Sequence, residues 1–139
     1  MIDYGKLKKS LTHLILQYRN YTSLAERAGL LEIDREAVAE SVIQRFEVCY
    51  DCLWKLLKRY LGEQLGIAEL PNSPKPLLRI AFENRLFPSI EQWLRYADAR
   101  TGTAHDYSGD KAGETLKLAG PFINDAIALY QIMAGEPWT

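Results

Sequence analysis

The residues best suited to chemistry in this chain lie between Arg100 and Tyr107, where the sequence reads Arg-Thr-Gly-Thr-Ala-His-Asp-Tyr. The segment holds a permanent cation, a titratable base and a phenol. A guanidinium is always charged and offers forked N–H donors to phosphate oxygens. An imidazole titrates near neutrality and can accept or release a proton. Together these groups could bind a phosphate and transfer a proton.

The spacing of this motif requires a break in the helix that leads into it. On an ideal helix a separation of five residues places two side chains about 140° apart, so Arg100 and His105 would not converge. A turn at Gly102, or the pairing of two sites across a dimer axis, would bring them to one phosphate. In extended backbone His105 and Tyr107 would face the same side.

Helices are predicted to position this motif. Apolar residues recur at intervals of three and four along most of the chain, and sustained alternation typical of strands is missing from the sequence. The expected fold is all-α, an up-and-down bundle of four to five helices in one domain over residues 1–139. The predicted helices are Leu7 to Ala28 before Gly29, about Arg35 to Leu65 with Asp34 as N-cap, a short helix starting at Ser73-Pro74, one capped by Ser89 and reaching Arg100, and about Asp110 to Met133.

Bulk properties limit the partners of the chain. Its formal net charge is −1 and its pI is about 6.1, so a general attraction to nucleic acid is not expected and any RNA contact must be local. The sequence has no long apolar run, and its start lacks the apolar core of a secretion signal. We therefore expect a cytoplasmic protein with no membrane contact.

Other motifs point away from metal and cofactor chemistry. Cys49 and Cys52 form a C-x-x-C in an apolar helical run, but no second cysteine pair completes a zinc site, so we expect buried thiols. The chain has no phosphate-binding Gly-x4-Gly-Lys loop and no Gly-Ser pair before spaced aspartates. We expect no metal and no cofactor, and the chain is not itself a nucleotidyltransferase.

Several further residues have plain structural interpretations. Trp54, Trp93 and Tyr96 fall on predicted apolar stripes and are expected in the core. His13 is expected to be structural, and Asp51 is spaced to pair with Lys55 on an exposed helix face. A set of basic residues is either a phosphate-tracking surface or a solvated face; it comprises Lys55, Lys58, Arg59, Arg79, Arg85 and Arg95.

The motif and its surroundings resemble the HEPN superfamily, in particular the HepT-like proteins, which are also known as nucleotidyltransferase substrate-binding proteins. The resemblance extends over about residues 40 to 130. It includes the stretches 43–47, 54–58 and 78–82, the Ser73-Pro74 pair, and Trp93 placed seven residues before Arg100. Thr101 stands where many members have Asn.

This resemblance implies a homodimer and a cognate, separately encoded minimal nucleotidyltransferase, the two forming a toxin–antitoxin type of module. It implies a metal-independent ribonuclease in which Arg100 and His105 are catalytic and AMP transfer to Tyr107 silences the activity. RNA or a nucleotide would then contact Arg100, Thr101, His105 and Tyr107. The alternative is a non-catalytic subunit that binds substrate or nucleotide for the partner enzyme.

Overall fold

The structure, a computed structural model, describes residues 1–103 and 109–139, and the regular elements in these ranges are all helical. The all-α prediction is confirmed. The helices are α1 (Gly5–Thr22), α2 (Glu32–Glu63), α3 (Pro74–Glu83), α4 (Ile90–Gly102) and α5 (Gly109–Ala134), with a short 3-10 turn at Leu24–Glu26.

The first two helices differ from their predicted bounds. Helix α1 ends at Thr22, well before Gly29, and the 3-10 turn follows it. Helix α2 begins at Glu32, with Leu31 at the N-cap, so Asp34 lies within the first turn and does not cap the helix. Asp34 still marks the start of the helix, because negative side chains in the first turn interact favourably with the helix dipole. The prediction that Asp34 is the N-cap residue was wrong.

The starts of α3 and α4 agree with the sequence. Ser73 occupies the N-cap of α3 and Pro74 is the first residue of that helix. Ser89 caps α4, because its side-chain oxygen accepts a hydrogen bond of 3.3 Å from the backbone N–H of Gln92. This cap fixes the beginning of the helix whose other end carries Arg100.

A cluster of buried aromatic rings joins α2, α4 and α5. The ring of Phe122 on α5 meets Phe46 of α2 at 4.9 Å and Tyr96 of α4 at 5.1 Å, both edge to face. Trp93 packs on the same cluster, with its ring 5.2 Å from that of Tyr96. Such edge-to-face pairs are directional as well as apolar, so they fix how α2 and α4 are rotated relative to each other.

None of the helices within residues 1–103 and 109–139 has both the length and the apolar character needed to cross a membrane.

Candidate functional site

Arg100, at the C-terminal end of α4, reaches across to two carboxylates of α2. Its Nε donates to Oδ1 of Asp51 at 3.0 Å and its Nη2 donates to Oδ2 at 3.1 Å, which is a two-point guanidinium–carboxylate pair. Its Nη1 donates to Oε2 of Glu47 at 3.1 Å. Charge-assisted bonds of this geometry are among the stronger side-chain interactions, and here they hold the guanidinium in one orientation.

Thr103 completes this cluster from the residue after α4. Its side chain is fully buried, and its hydroxyl donates to Oε2 of Glu47 at 2.9 Å. The side chain of Glu47 is only 9% exposed. A carboxylate so far from solvent is costly unless it is paired and hydrogen-bonded, and Arg100 and Thr103 supply both conditions. We call Glu47, Asp51, Arg100 and Thr103 the Arg100 cluster.

The Arg100 cluster contains one more carboxylate than guanidinium. The Arg100 side chain is 29% exposed, so it is neither enclosed by the bundle nor fully solvated. Its positive charge is largely offset by Glu47 and Asp51, which reduces its attraction for a further anion. In this arrangement Arg100 acts first as the link between α2 and α4.

A cleft of about 520 Å³ opens beside the cluster, between α2, the start of α3 and the end of α4. We call it the Arg100 cleft. The half-buried Trp54 supplies aromatic surface, and Lys75 supplies a cation whose Nζ also lies 2.5 Å from Oδ1 of Asp98. The residues that line the cleft are Tyr50, Asp51, Trp54, Ser73, Pro74, Lys75, Pro76, Ala97, Arg100 and Thr101.

Tyr50 has a buried hydroxyl for which the described residues provide no hydrogen-bond partner. The residue is only 2% exposed. Burial raises the pKa of this phenol well above its usual value, and the negative charge of Asp51 adds to the rise while Arg100 opposes it. Tyr50 therefore stays protonated at neutral pH. A buried donor without a hydrogen-bond partner lowers the stability of the folded protein.

Thr101 lies on the wall of this cleft, but its hydroxyl donates to the backbone carbonyl of Ala97 at 3.2 Å. The side chain is thus used within its own helix. His105 and Tyr107 lie outside the described residues, so the predicted meeting of Arg100, His105 and Tyr107 stays a prediction.

Glu47 and Asp51 were not identified from the sequence as site residues. Asp51 was expected to pair with Lys55, whereas both of its carboxylate oxygens accept hydrogen bonds from Arg100. A signal for Glu47 was present, because it follows Ile43 by four residues and precedes Tyr50 by three. An acid on the buried side of a helix needs a positive partner, and Arg100 is that partner.

The other interpretations of single residues have mixed outcomes. Trp93 and Tyr96 are buried as predicted, whereas Trp54 is half-buried in the cleft wall. Both cysteines are free thiols; Cys49 is buried, as expected, and Cys52 only half-buried. Burial raises the pKa of both thiols, that of Cys49 to about 12.

Comparison with known proteins identifies the family. The family model described as nucleotidyltransferase substrate binding protein like matches residues 2–134. The chain belongs to this family. The match spans nearly all of the bundle, including α1, which lies outside the 40 to 130 range of the resemblance seen in the sequence.

The fold of this family member also resembles a crystallised protein from Thermus thermophilus. The two chains are 23% identical and superpose with a TM-score of 0.64, over 86% of this chain and 98% of the other. At this identity the likeness concerns the fold alone. No curated protein has a significant match to the chain.

Proposed function

We propose that this family member is the non-catalytic binding partner of a separately encoded minimal nucleotidyltransferase, and that the Arg100 cleft holds a nucleotide for that enzyme. One observation carries the proposal: the Trp54 ring, the Lys75 ammonium and the oriented Arg100 guanidinium line one open cleft. Family membership supports the choice of partner.

The dimensions and chemistry of the cleft suit a nucleotide. Pockets for small ligands commonly enclose about 300–1,000 Å³, and the volume of this one, about 520 Å³, lies within that range. The indole of Trp54 offers a flat surface to a base, and Lys75 offers a cation to a phosphate.

Equilibrium binding of ATP and of AMP to the purified protein tests this proposal. Trp54→Leu should weaken binding at least about tenfold, a loss of about 1.4 kcal/mol, because base stacking is lost. Trp138→Leu is the matched control, since Trp138 packs on Tyr130 and lines a different cavity. Failure of both nucleotides to bind the unmodified protein, or equal losses in the two variants, would contradict the proposal.

A second candidate function is the metal-independent ribonuclease, and the Arg-x4-His-x-Tyr spacing favours it. In this proposal His105 transfers a proton from the ribose 2′-hydroxyl, Arg100 contacts the phosphate, and the motifs of two subunits meet in a homodimer. AMP transferred to Tyr107 would place bulk and negative charge at the RNA site and silence the activity.

RNA cleavage in the presence of a metal chelator separates the two candidates. If the chain is a ribonuclease, it should cleave RNA in the presence of the chelator, and His105→Ala should abolish that cleavage. Protein co-expressed with the transferase should also carry covalently attached AMP, whereas the Tyr107→Phe variant should carry none. The substrate-binding proposal predicts no cleavage. Arg100→Ala is a poor probe, because removing Arg100 leaves Glu47 and Asp51 without the cation that pairs with both.

A further inference from the structure

Positive charge is concentrated on α1 although the whole chain is slightly acidic. The helix contains Lys6, Lys8, Lys9 and Arg19 but no Asp or Glu, whereas the formal net charge of the chain is −1. Lys8 faces the ring of Tyr130, with Nζ 5.9 Å from the ring centroid. Lys6 and Lys9 face a groove between α1 and α2.

We call this surface the α1/α2 groove. Its volume is about 410 Å³, and it is lined by Lys6, Lys9, Ser10, His13, Arg45, Val48 and Cys52. Within the parts of the chain that the structure describes, this lining includes no carboxylate and no six-membered aromatic ring. His13, which is expected to be structural, is half-buried at the groove, with Nδ1 3.4 Å from Nη1 of Arg45.

The cations lie along both helices of the groove. At one end of the groove His13 of α1 lies beside Arg45 of α2. At the other end Lys6 of α1 is close enough to Cys52 of α2 that its charge, with that of Lys55, lowers the pKa of the thiol, against the rise caused by burial. The two helices therefore run antiparallel here. From Lys6 to His13 the groove follows α1 for about 10 Å, roughly two helical turns.

The floor of the groove is apolar. Val48 is 51% exposed there, although it is an aliphatic residue in the middle of α2. The aliphatic stems of lysine and arginine side chains extend such a floor while their charged ends reach solvent. The result is an apolar patch with Lys6 and Lys9 on the α1 side and Arg45 on the α2 side.

We propose that the α1/α2 groove docks an acidic amphipathic helix of a partner protein. The space between two antiparallel helices accepts a third helix through apolar side chains spaced at i, i+3 or i+4 and i+7. Leucine-like residues of that helix would cover Val48, and flanking Asp and Glu would meet Lys6, Lys9 and Arg45. This inference deepens the proposed function, since the nucleotidyltransferase is the expected owner of the helix.

The same groove fits a nucleic-acid strand less well. A phosphate backbone would satisfy the cations but would place charged oxygens against Val48. Single-strand binding surfaces also usually stack bases on aromatic side chains, and this lining offers only the imidazole of His13. The apolar floor therefore favours a protein segment over RNA.

Fluorescence anisotropy with three labelled probes tests the proposal on the full chain. The probes are a helical peptide with Leu at i, i+3 and i+7 flanked by Glu, the same peptide with Lys in place of Glu, and an oligouridine RNA. We expect only the acidic peptide to bind, and its affinity to fall as salt rises from about 0.05 to about 0.3 M. No binding of the acidic peptide, or tighter binding of the RNA, would overturn the proposal.

Matched variants locate the site. Arg45→Glu and Lys9→Glu should each weaken binding of the acidic peptide at least about tenfold, and Val48→Ser should weaken it less. Lys117→Glu changes charge equally on α5, where the Lys117 side chain is 78% exposed, and should have little effect. Equal losses in Lys117→Glu and Arg45→Glu would refute a defined groove.

Measuring ATP binding in the same variants distinguishes a failure of the groove proposal from a failure of the proposed function. ATP binding in the Arg100 cleft should be unchanged in Arg45→Glu, because the groove and the cleft share no lining residue. Loss of peptide binding with ATP binding retained supports the groove, whatever the outcome for Trp54→Leu.

Discussion

Arg100 and Glu47 are 53 residues apart in the chain, yet a hydrogen bond of 3.1 Å joins Nη1 of the arginine to Oε2 of the glutamate. Asp51, one turn further along α2, holds the other side of the same guanidinium. Arg100, for which the sequence predicts a phosphate contact, thus links α2 and α4 electrostatically.

Arg100→Ala should lower the free energy of unfolding by about 2 kcal/mol, because it takes the guanidinium away from the nearly buried Glu47. Breaking a fully buried ion pair typically costs about 3–5 kcal/mol, and partial exposure of Arg100 and Asp51 reduces that cost. Urea unfolding monitored by circular dichroism measures it. Arg100→Ala combined with Glu47→Gln should lose less than the two single changes together.

Arg59→Ala is the control for this experiment. Arg59 pairs with Glu63 one turn away on the same helix, and both side chains are about half exposed. Exposed ion pairs contribute little to stability, so this variant should unfold close to the unmodified protein. Equal losses for Arg59→Ala and Arg100→Ala would mean that the Arg100 cluster has no special role.

Tyr50→Phe should raise the free energy of unfolding by about 1 kcal/mol, because it removes a buried hydroxyl that lacks a partner among the described residues. Tyr96→Phe is the opposite case, since the Tyr96 hydroxyl donates to Oδ2 of Asp125. Tyr96→Phe should therefore lower the free energy of unfolding. An equal loss in Tyr50→Phe would show that the Tyr50 hydroxyl does have a hydrogen-bond partner.

Ser89→Ala should lower the free energy of unfolding by about 1 kcal/mol, the usual cost of losing an N-cap hydrogen bond. Ser73→Ala, at the N-cap of α3, should cost less, because its side chain makes no capping hydrogen bond. Thermal unfolding of the two variants makes the comparison. Equal shifts in Tm would show that the Ser89 bond contributes nothing measurable.

Cys52 should react with a thiol reagent in the folded protein much faster than Cys49, which is buried and whose pKa burial raises to about 12. Mass spectrometry after timed labelling measures the two reaction rates.

The raised pKa of Cys49 in the folded state also makes stability depend on pH. The contribution of Cys49 to the free energy of unfolding is complete below pH 9 and is lost as pH rises from 9 towards 12. Unfolding experiments across this pH range measure the loss, and Cys49→Ala should lose less stability with rising pH than the unmodified protein.

The sequence by itself determined the helical class, the approximate extent of most helices and the starts of α3 and α4. These features depend on residues close together in the chain: apolar spacing of three and four, Pro74 after Ser73, and Ser89 before Ile90. The ends of α1 and α2 were less predictable, because helix ends compete with loop contacts that local patterns do not contain.

Only the tertiary structure decided which side chains meet Arg100. The sequence paired Asp51 with Lys55 because four-residue spacing on one helix is visible in the chain. The actual pairing depends on how α2 and α4 are rotated relative to each other, which the packing of Phe46 and Tyr96 on Phe122 fixes. Contacts between distant segments follow from that packing and not from spacing, so the pairing of Glu47 with Arg100 and the cleft beside Tyr50 emerged only in three dimensions.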